Sequence, residues 1–226
     1  MKIDVLAKTV FDDIISHGGQ VYIVGGSVRD DVLGCQDLHD IDVEVYHISY
    51  QQLCDILQKY GQVNTFGQSF AIVQLDTLPH YDFALPRQEK KTGVKHQDFE
   101  TMIDQNLPIE KAILRRDLTI NALMYDYQQK KIIDLCHGLD DIKHHIIRCV
   151  DASRFIEDPL RVLRVARFVA KLQFQVDSQT KELCRQMVSQ HMLDHLSVER
   201  IYQEYCQILM TDMPSLGFQF LKEIGA

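Results

Sequence analysis

Asp40 and Asp42 stand two residues apart in the run Asp40-Ile41-Asp42-Val43-Glu44-Val45. On a β-strand, alternation sends Asp40, Asp42 and Glu44 to one face and Ile41, Val43 and Val45 to the other. Carboxylates at that spacing repel unless a cation lies between them. A pair of divalent metal ions meets that need, and two-metal sites serve in-line phosphoryl transfer. Taken alone, Asp-x-Asp is more often an edge strand with a solvated acidic face. What lies upstream changes the balance. Residues 21–24 form a short, β-branched apolar run that reads as a strand and ends in Gly25-Gly26-Ser27. Two glycines let the backbone turn tightly and bring N–H groups close to an anion. Ser27 is placed to cap a following helix on Val28, Val32 and Leu33, whose N-terminus would receive a phosphate. Arg29 adds a fork of donors suited to phosphate oxygens.

Three further clusters have chemical potential. Asp82 lies in an expected strand at 81–85, among apolar neighbours where an unpaired carboxylate is costly. It is either a third acid of the metal site or a solvent-facing strand residue, and both readings stay open. Arg115, Arg116, Asp117 and Asn121 surround the start of an expected helix from about Leu118, burying Leu118, Ala122 and Leu123. There the asparagine would read ribose hydroxyls and the arginines neutralise phosphates, unless Asp117 is simply a helix cap. Asp158 and Arg161 are helical i, i+3 neighbours, continued by Arg164 and Arg167. A carboxylate beside a guanidinium offers acceptors and donors that mimic the Watson–Crick edge of a base, although an ordinary intrahelical salt bridge has the same spacing.

The elements that must position these groups follow from periodicity. Helices are expected at 4–17 and 50–60, strands at 70–75, 81–85 and 131–134. Residues 86–106 have no clean period and hold Arg87, Lys90, Lys91 and Lys95 around Gly93. That composition predicts a mobile basic loop, with a gating or nucleic-acid role set against a plain solvated hairpin tip. From Ile156 the pattern is wholly helical. One helix opens on Glu157-Asp158-Pro159 with Leu160, Leu163 and Ala166 on its buried side. Two more follow at 178–190 and 197–210, and after a break at Pro214 a short last helix runs over 218–224. The fold class is α+β: residues 1–135 as a small mixed sheet with helices, and 136–226 as a helical domain.

Composition excludes several classes. At 226 residues, 46% hydrophobic and 25% charged, the chain is an ordinary globular protein with room for a proper core. The net charge of −8 is unexpected for a nucleic-acid partner, so any basic footprint is local. Residues 1–150 carry 15 Lys and Arg against 22 Asp and Glu, whereas 151–226 carry 9 against 10. Six cysteines lack C-x-x-C spacing, which argues against zinc and disulfides and fits a reducing cytoplasm. His144 and His145 have no companion at ligand spacing and read as surface residues. No apolar run approaches the ~18 residues of a membrane span, and no signal peptide opens the chain.

Taken together and in order, these motifs resemble the class II tRNA nucleotidyltransferases, the CCA-adding enzymes and their bacterial poly(A) polymerase relatives. Gly25-Gly26-Ser27-Val28-Arg29-Asp30 with Asp40-Ile41-Asp42 looks like the catalytic motif of that family. Arg115-Arg116-Asp117 through Asn121 matches its ribose-selecting motif, and Ile133-Asp134 through Gly138 and Asp140 its hinge-like motif. Glu157-Asp158-Pro159-Leu160-Arg161 matches the amino-acid template. Glu199-Arg200-Ile201 with Glu204 is similar to the last helical motif.

The resemblance implies a polymerase-β-like nucleotidyltransferase head followed by an all-helical neck. Asp40 and Asp42 would hold two Mg2+ ions, one activating the RNA 3′-hydroxyl and one bridging the triphosphate. Gly25, Gly26, Ser27, Arg29, Arg116, Asp117, Asn121, Arg164 and Arg167 would contact the nucleotide. Asp158 and Arg161 would pair with the base, accepting CTP or ATP and rejecting UTP and GTP without a nucleic-acid template. The implied partner is a tRNA 3′ end, with CTP and ATP as substrates. Leu85-Pro86-Arg87 and residues 90–95 resemble the loop that switches from C to A addition. Family members usually continue into helical body and tail domains, so the chain reads as head and neck alone. An A-adding, CC-adding or poly(A)-adding specialist shares these motifs. A non-catalytic nucleotide- or RNA-binding module is the rival from another class, and the complete Asp40/Asp42 pair argues against it. Oligomeric state is not encoded in any of these features.

Overall fold

The computed structural model describes residues 1–35, 40–66, 72–91 and 99–226. The chain divides into two compact units, one built from Met1–Lys91, Glu100–Leu114 and Asn121–Cys136, the other mainly from Arg115–Ile120 and His137–Ala226.

In chain order the first unit contains α1 (Val5–Ser16), β1 (Gln20–Val24), α2 (Gly26–Val32), β2 (Ile41–Tyr46), α3 (Tyr50–Leu57), β3 (Val63–Phe66), β4 (Ile72–Leu75), β5 (Leu78–Ala84), β6 (Arg87–Lys91), β7 (Phe99–Ile103), α4 (Ile109–Leu114), β8 (Met124–Asp126) and β9 (Lys131–Ile133). Seven strands form one mixed sheet in the order β3-β4-β5-β2-β1-β8-β9. Only β2 and β5 pair in parallel, with Asp42 opposite Asp82, while β1 and β2 run antiparallel with Val24 opposite Asp42. The valines and isoleucines that alternate along β1 and β2 form one apolar face. Helix α1 closes over it: Phe11, fully buried, meets Tyr81, Phe83 and Tyr127 edge-on at 6.1, 6.1 and 5.0 Å. Truncating such a ring costs about 3–5 kcal/mol. Ser49 and Gln52 form a capping box that starts α3.

The expected strand at 70–75 is β4 from Ile72, its first two positions lying outside the described residues. Within the expected basic loop at 86–106, β6 and β7 pair as a separate two-stranded sheet. Gly93 and Lys95 lie outside the described residues.

The second unit contains α5 (Gly138–Lys143), β10 (Ile146–Ile147), α6 (Ala152–Phe155), α7 (Leu160–Leu172), β11 (Gln175–Val176), α8 (Ser178–Ser189), α9 (Val198–Leu209) and α10 (Pro214–Ile224). It is helical apart from the short parallel pair β10–β11. Helix α7 is its centre, with Val162, Leu163, Val165, Ala166, Phe168 and Ala170 buried. Helix α10 approaches α7 so closely at Gly217 that an added Cβ would lie 2.8 Å from the Ala166 carbonyl oxygen. Pro214 begins α10 instead of breaking the chain before it, since its missing N–H and fixed φ suit the first helical turn.

The helix expected from Leu118 does not form. Residues 119–121 make a single 3-10 turn, although Leu118, Ala122 and Leu123 are all buried as expected. The backbone groups that would seed an α-helix are taken elsewhere: Thr119 N–H donates to the Arg148 carbonyl and Val150 N–H to that of Asp117. Among the described residues no helix is long and apolar enough to cross a membrane.

Candidate active site

The Gly-Gly turn connects β1 to α2. Gly25 has φ 76 and ψ −134, a combination that only glycine adopts cheaply, and it is the N-cap of α2. Ser27 therefore sits inside the first turn, not at the cap, and its buried hydroxyl donates to the Val24 carbonyl at 3.4 Å. Arg29, 3% exposed, is fixed from two sides. Its Nε and Nη2 donate to Asp30 at 2.8 and 2.7 Å, and its Nη1 donates to Asn121 Oδ1. Gly26 lies under that guanidinium, where a Cβ would be 3.4 Å from Nη2. The turn and an asparagine 92 residues away are thus held as one piece.

The acidic residues sit differently from the simple strand alternation. Asp40 precedes β2 and adopts a left-handed φ of 55, tolerated by a short polar side chain. It is not the first residue of an alternating row. Asp42 is on the strand and exposed, in register with Val24, where β1 enters the Gly25 turn, and with Asp82 on β5. Directly paired residues in a sheet point to the same side, so Asp42 and Asp82 share a face. Gln74 on β4 donates to Asp82 Oδ1 at 2.6 Å. Glu44, on the same face by alternation, is 3% exposed and accepts a hydrogen bond from Tyr46 at 3.1 Å, so it is a core carboxylate. Among the described residues, no three or more His, Cys, Asp or Glu side chains stand together as a ready metal cage.

The expected ribose motif is divided: Asn121 belongs to the first unit, whereas Arg116 and Asp117 belong to the second. Asp117 is buried, accepts the Leu118 N–H at 2.8 Å and binds Arg164 Nε at 2.7 Å. The Asp117 charge holds the Arg164 pKa above its ordinary value despite burial. One helical turn on, Arg167 pairs with Glu204 of α9 at 3.2 Å and lies over the Phe168 ring. Burial raises the Glu204 pKa, against the lowering effect of Arg167 and Arg164.

Asp158 and Arg161, the expected base-reading pair, are both held by the protein. Arg161 donates to the carbonyls of Arg154 and Arg115 at 2.9 and 3.1 Å. Asp158 Oδ1 accepts the Leu160 N–H at 3.1 Å, and Arg200 Nη2 of α9 donates to both carboxylate oxygens at 3.3 and 3.0 Å. The sequence carries no local sign of that contact, because Arg200 lies 42 residues beyond Asp158.

Residues 21–148 match the family model described as Poly A polymerase head domain, and residues 173–226 match the one described as probable RNA and SrmB-binding site of polymerase A. The Multifunctional CCA proteins of Haemophilus ducreyi and Vibrio campbellii are 38% and 39% identical over 210 residues, 92% of this chain and 49% and 50% of those proteins. Among solved structures, apo form II of a CCA-adding enzyme has a TM-score of 0.85 at 25% identity, covering 99% of this chain and 53% of that one. The complex of a CCA-adding enzyme with ATP has a TM-score of 0.81 at 26% identity, covering 99% and 51%. The chain spans about half the length of the relatives that it matches. With the head-domain match alone covering more than half of its residues, the chain belongs to the Poly A polymerase head family of class II tRNA nucleotidyltransferases.

Proposed function

We propose that this chain carries the catalytic and nucleotide-selecting parts of an enzyme that adds C and A from CTP and ATP to the 3′ end of tRNA. The catalytic head is residues 1–135 and the selecting neck 136–226. The observation that carries the reading is the register of Asp42 with Asp82, opposite the strand end from which the Gly25 turn and the fixed Arg29 leave.

The side chains assigned to the metal offer carboxylate oxygens, which suit a hard cation that keeps several waters and takes one or two carboxylates plus substrate phosphates. Mg2+ fits that set. Asp40 and Asp42 would hold it and Asp82 would complete the acidic side. When bound, it supplies Lewis-acid stabilisation of the phosphates and lowers the pKa of a bound hydroxyl. In the reaction the RNA 3′-oxygen forms a bond to the α-phosphorus, the bond from that phosphorus to the β-phosphate oxygen breaks, and pyrophosphate and a proton leave. The Gly25-Gly26 turn and Arg29 receive the triphosphate, and Asn121, held by Arg29, contacts the ribose. Asp158 and Arg161 read the base. Arg164 and Arg167 already face Asp117 and Glu204, so a nucleotide draws on them only by competing with those carboxylates.

The test is incorporation of labelled CTP and ATP, with magnesium, onto a tRNA lacking its 3′ end. Ordered addition of C, C and A is expected. Addition of one nucleotide type would replace the reading with a specialist or polymerase of the same family. A chain that neither incorporates nor binds nucleotide would overturn it.

A further inference from the structure

We propose that Arg200 is a specificity-determining positioning residue that sets the acceptor geometry of Asp158. The inference rests on the proposed base-reading role of Asp158. A carboxylate has two oxygens and about four lone-pair sites. Leu160 N–H and the two Arg200 contacts occupy three of them, in directions fixed by the start of α7 and the first turn of α9. What remains is an acceptor position in a fixed plane. Cytosine and adenine present an exocyclic amino donor, which satisfies it. Uracil and guanine present a carbonyl oxygen there, which meets another acceptor.

The pair is partly exposed, with 39% of the Arg200 and 30% of the Asp158 side chain accessible. An ion pair that open adds little to stability, so removing the guanidinium changes the site without unfolding the helices. Arg161 is independent of this lever, since its two contacts are to backbone carbonyls.

The experiment is equilibrium binding of CTP, UTP, ATP and GTP, each with magnesium, to the full chain by calorimetry. Binding needs no RNA and reads selection directly. Arg200→Met is expected to lower both the CTP:UTP and ATP:GTP affinity ratios on the order of tenfold, within what one paired contact discriminates. Arg200→Lys should restore part of each ratio. In an Asp158→Ala background, Arg200→Met should change neither ratio further. A scaffold role alone would weaken all four nucleotides alike and leave the ratios where they were, and that result overturns the proposal. If Arg200→Met does not fold, Arg200→Gln carries the same test. Ratios lost in Asp158→Ala but kept in the Arg200 variants overturn the Arg200 assignment only. Ratios kept in Asp158→Ala overturn the base-reading role itself, as does equal binding of all four by the unmodified chain, and Arg200 falls with it.

Discussion

The acids on the candidate catalytic strands and those of the helical unit have different surroundings, although Asp30 of the first unit also meets a guanidinium, that of Arg29. At the candidate catalytic end of the sheet, Asp40 and Asp42 are exposed, and Asp82 accepts a hydrogen bond from the neutral amide of Gln74. In the helical unit the acids meet guanidinium groups: Asp117 with Arg164, Glu204 with Arg167, Asp158 with Arg200, and both Asp141 and Asp177 with Arg148. Asp117 and Glu204 are buried against their guanidinium partners, whereas Asp158 stays partly exposed beside Arg200.

The contrast can be broken most sharply at Asp42. Asp42→Ala should lower incorporation by roughly three orders of magnitude or more, the scale of losing transition-state charge stabilisation, while CTP binding stays measurable. Unchanged turnover would remove Asp42 from the metal site. The mirror experiment lies in the helical unit. Glu204→Ala removes the carboxylate that faces Arg167 at 3.2 Å and should destabilise that unit by about 1–3 kcal/mol in chemical denaturation, with no metal dependence. No loss at all would mean that the Coulombic gain of this buried pair only offsets its desolvation. Gly25→Ala forces an L side chain into φ 76, ψ −134 and should cost about 1–3 kcal/mol along with weaker triphosphate binding. Intact binding in a folded Gly25→Ala chain would separate the turn from the phosphates.

The smallest effect sharpens the contrast through pH. Burial opposes ionisation of Asp13, but hydrogen bonds from Lys59 and Tyr60 and the Lys59 and His17 charges outweigh it and hold its pKa below 3.8. The unfolded chain therefore binds more protons there, so Asp13 supports the fold above that value and its contribution is lost on acidification. Glu204 has the opposite sign, because burial raises its pKa above 4.5 and the folded chain binds more protons. Its contribution is complete below 4.5 and declines as the pH rises past it. In denaturation midpoints between pH 3 and 7, Asp13→Asn should flatten the acid limb by up to ~1 kcal/mol. Glu204→Gln should flatten the decline above 4.5. Parallel shifts in both variants would contradict the assignment of opposite signs.

Much of this was legible from local pattern. The helices at 178–190 and 197–210, the strand before Gly25 and the α+β class follow from periodicity and turn chemistry, which act over a few residues. What periodicity could not reach were contacts made across the chain. Asp40 leaves the alternating row because it lies before the strand in a left-handed turn. Ser27 lost the cap to Gly25, since only glycine takes that dihedral pair cheaply. The helix expected at Leu118 yielded to backbone bonds from residues 148 and 150. Arg29 with Asn121, and Arg200 with Asp158, are pairs that no single-segment reading joins.

The parallel pairing of β2 with β5 within the seven-stranded sheet also bears on folding. Antiparallel neighbours such as β3 and β4 zip up locally, whereas β2 and β5 meet only after α3, β3 and β4 have been laid between them. Loop closure must be completed before such non-local pairing is rewarded. Asp42 and Asp82, forty positions apart, are neighbours only through that non-local pairing. The proposed cation site needs that pairing, so any magnesium binding measured during refolding is expected to follow, and not to precede, completion of the sheet.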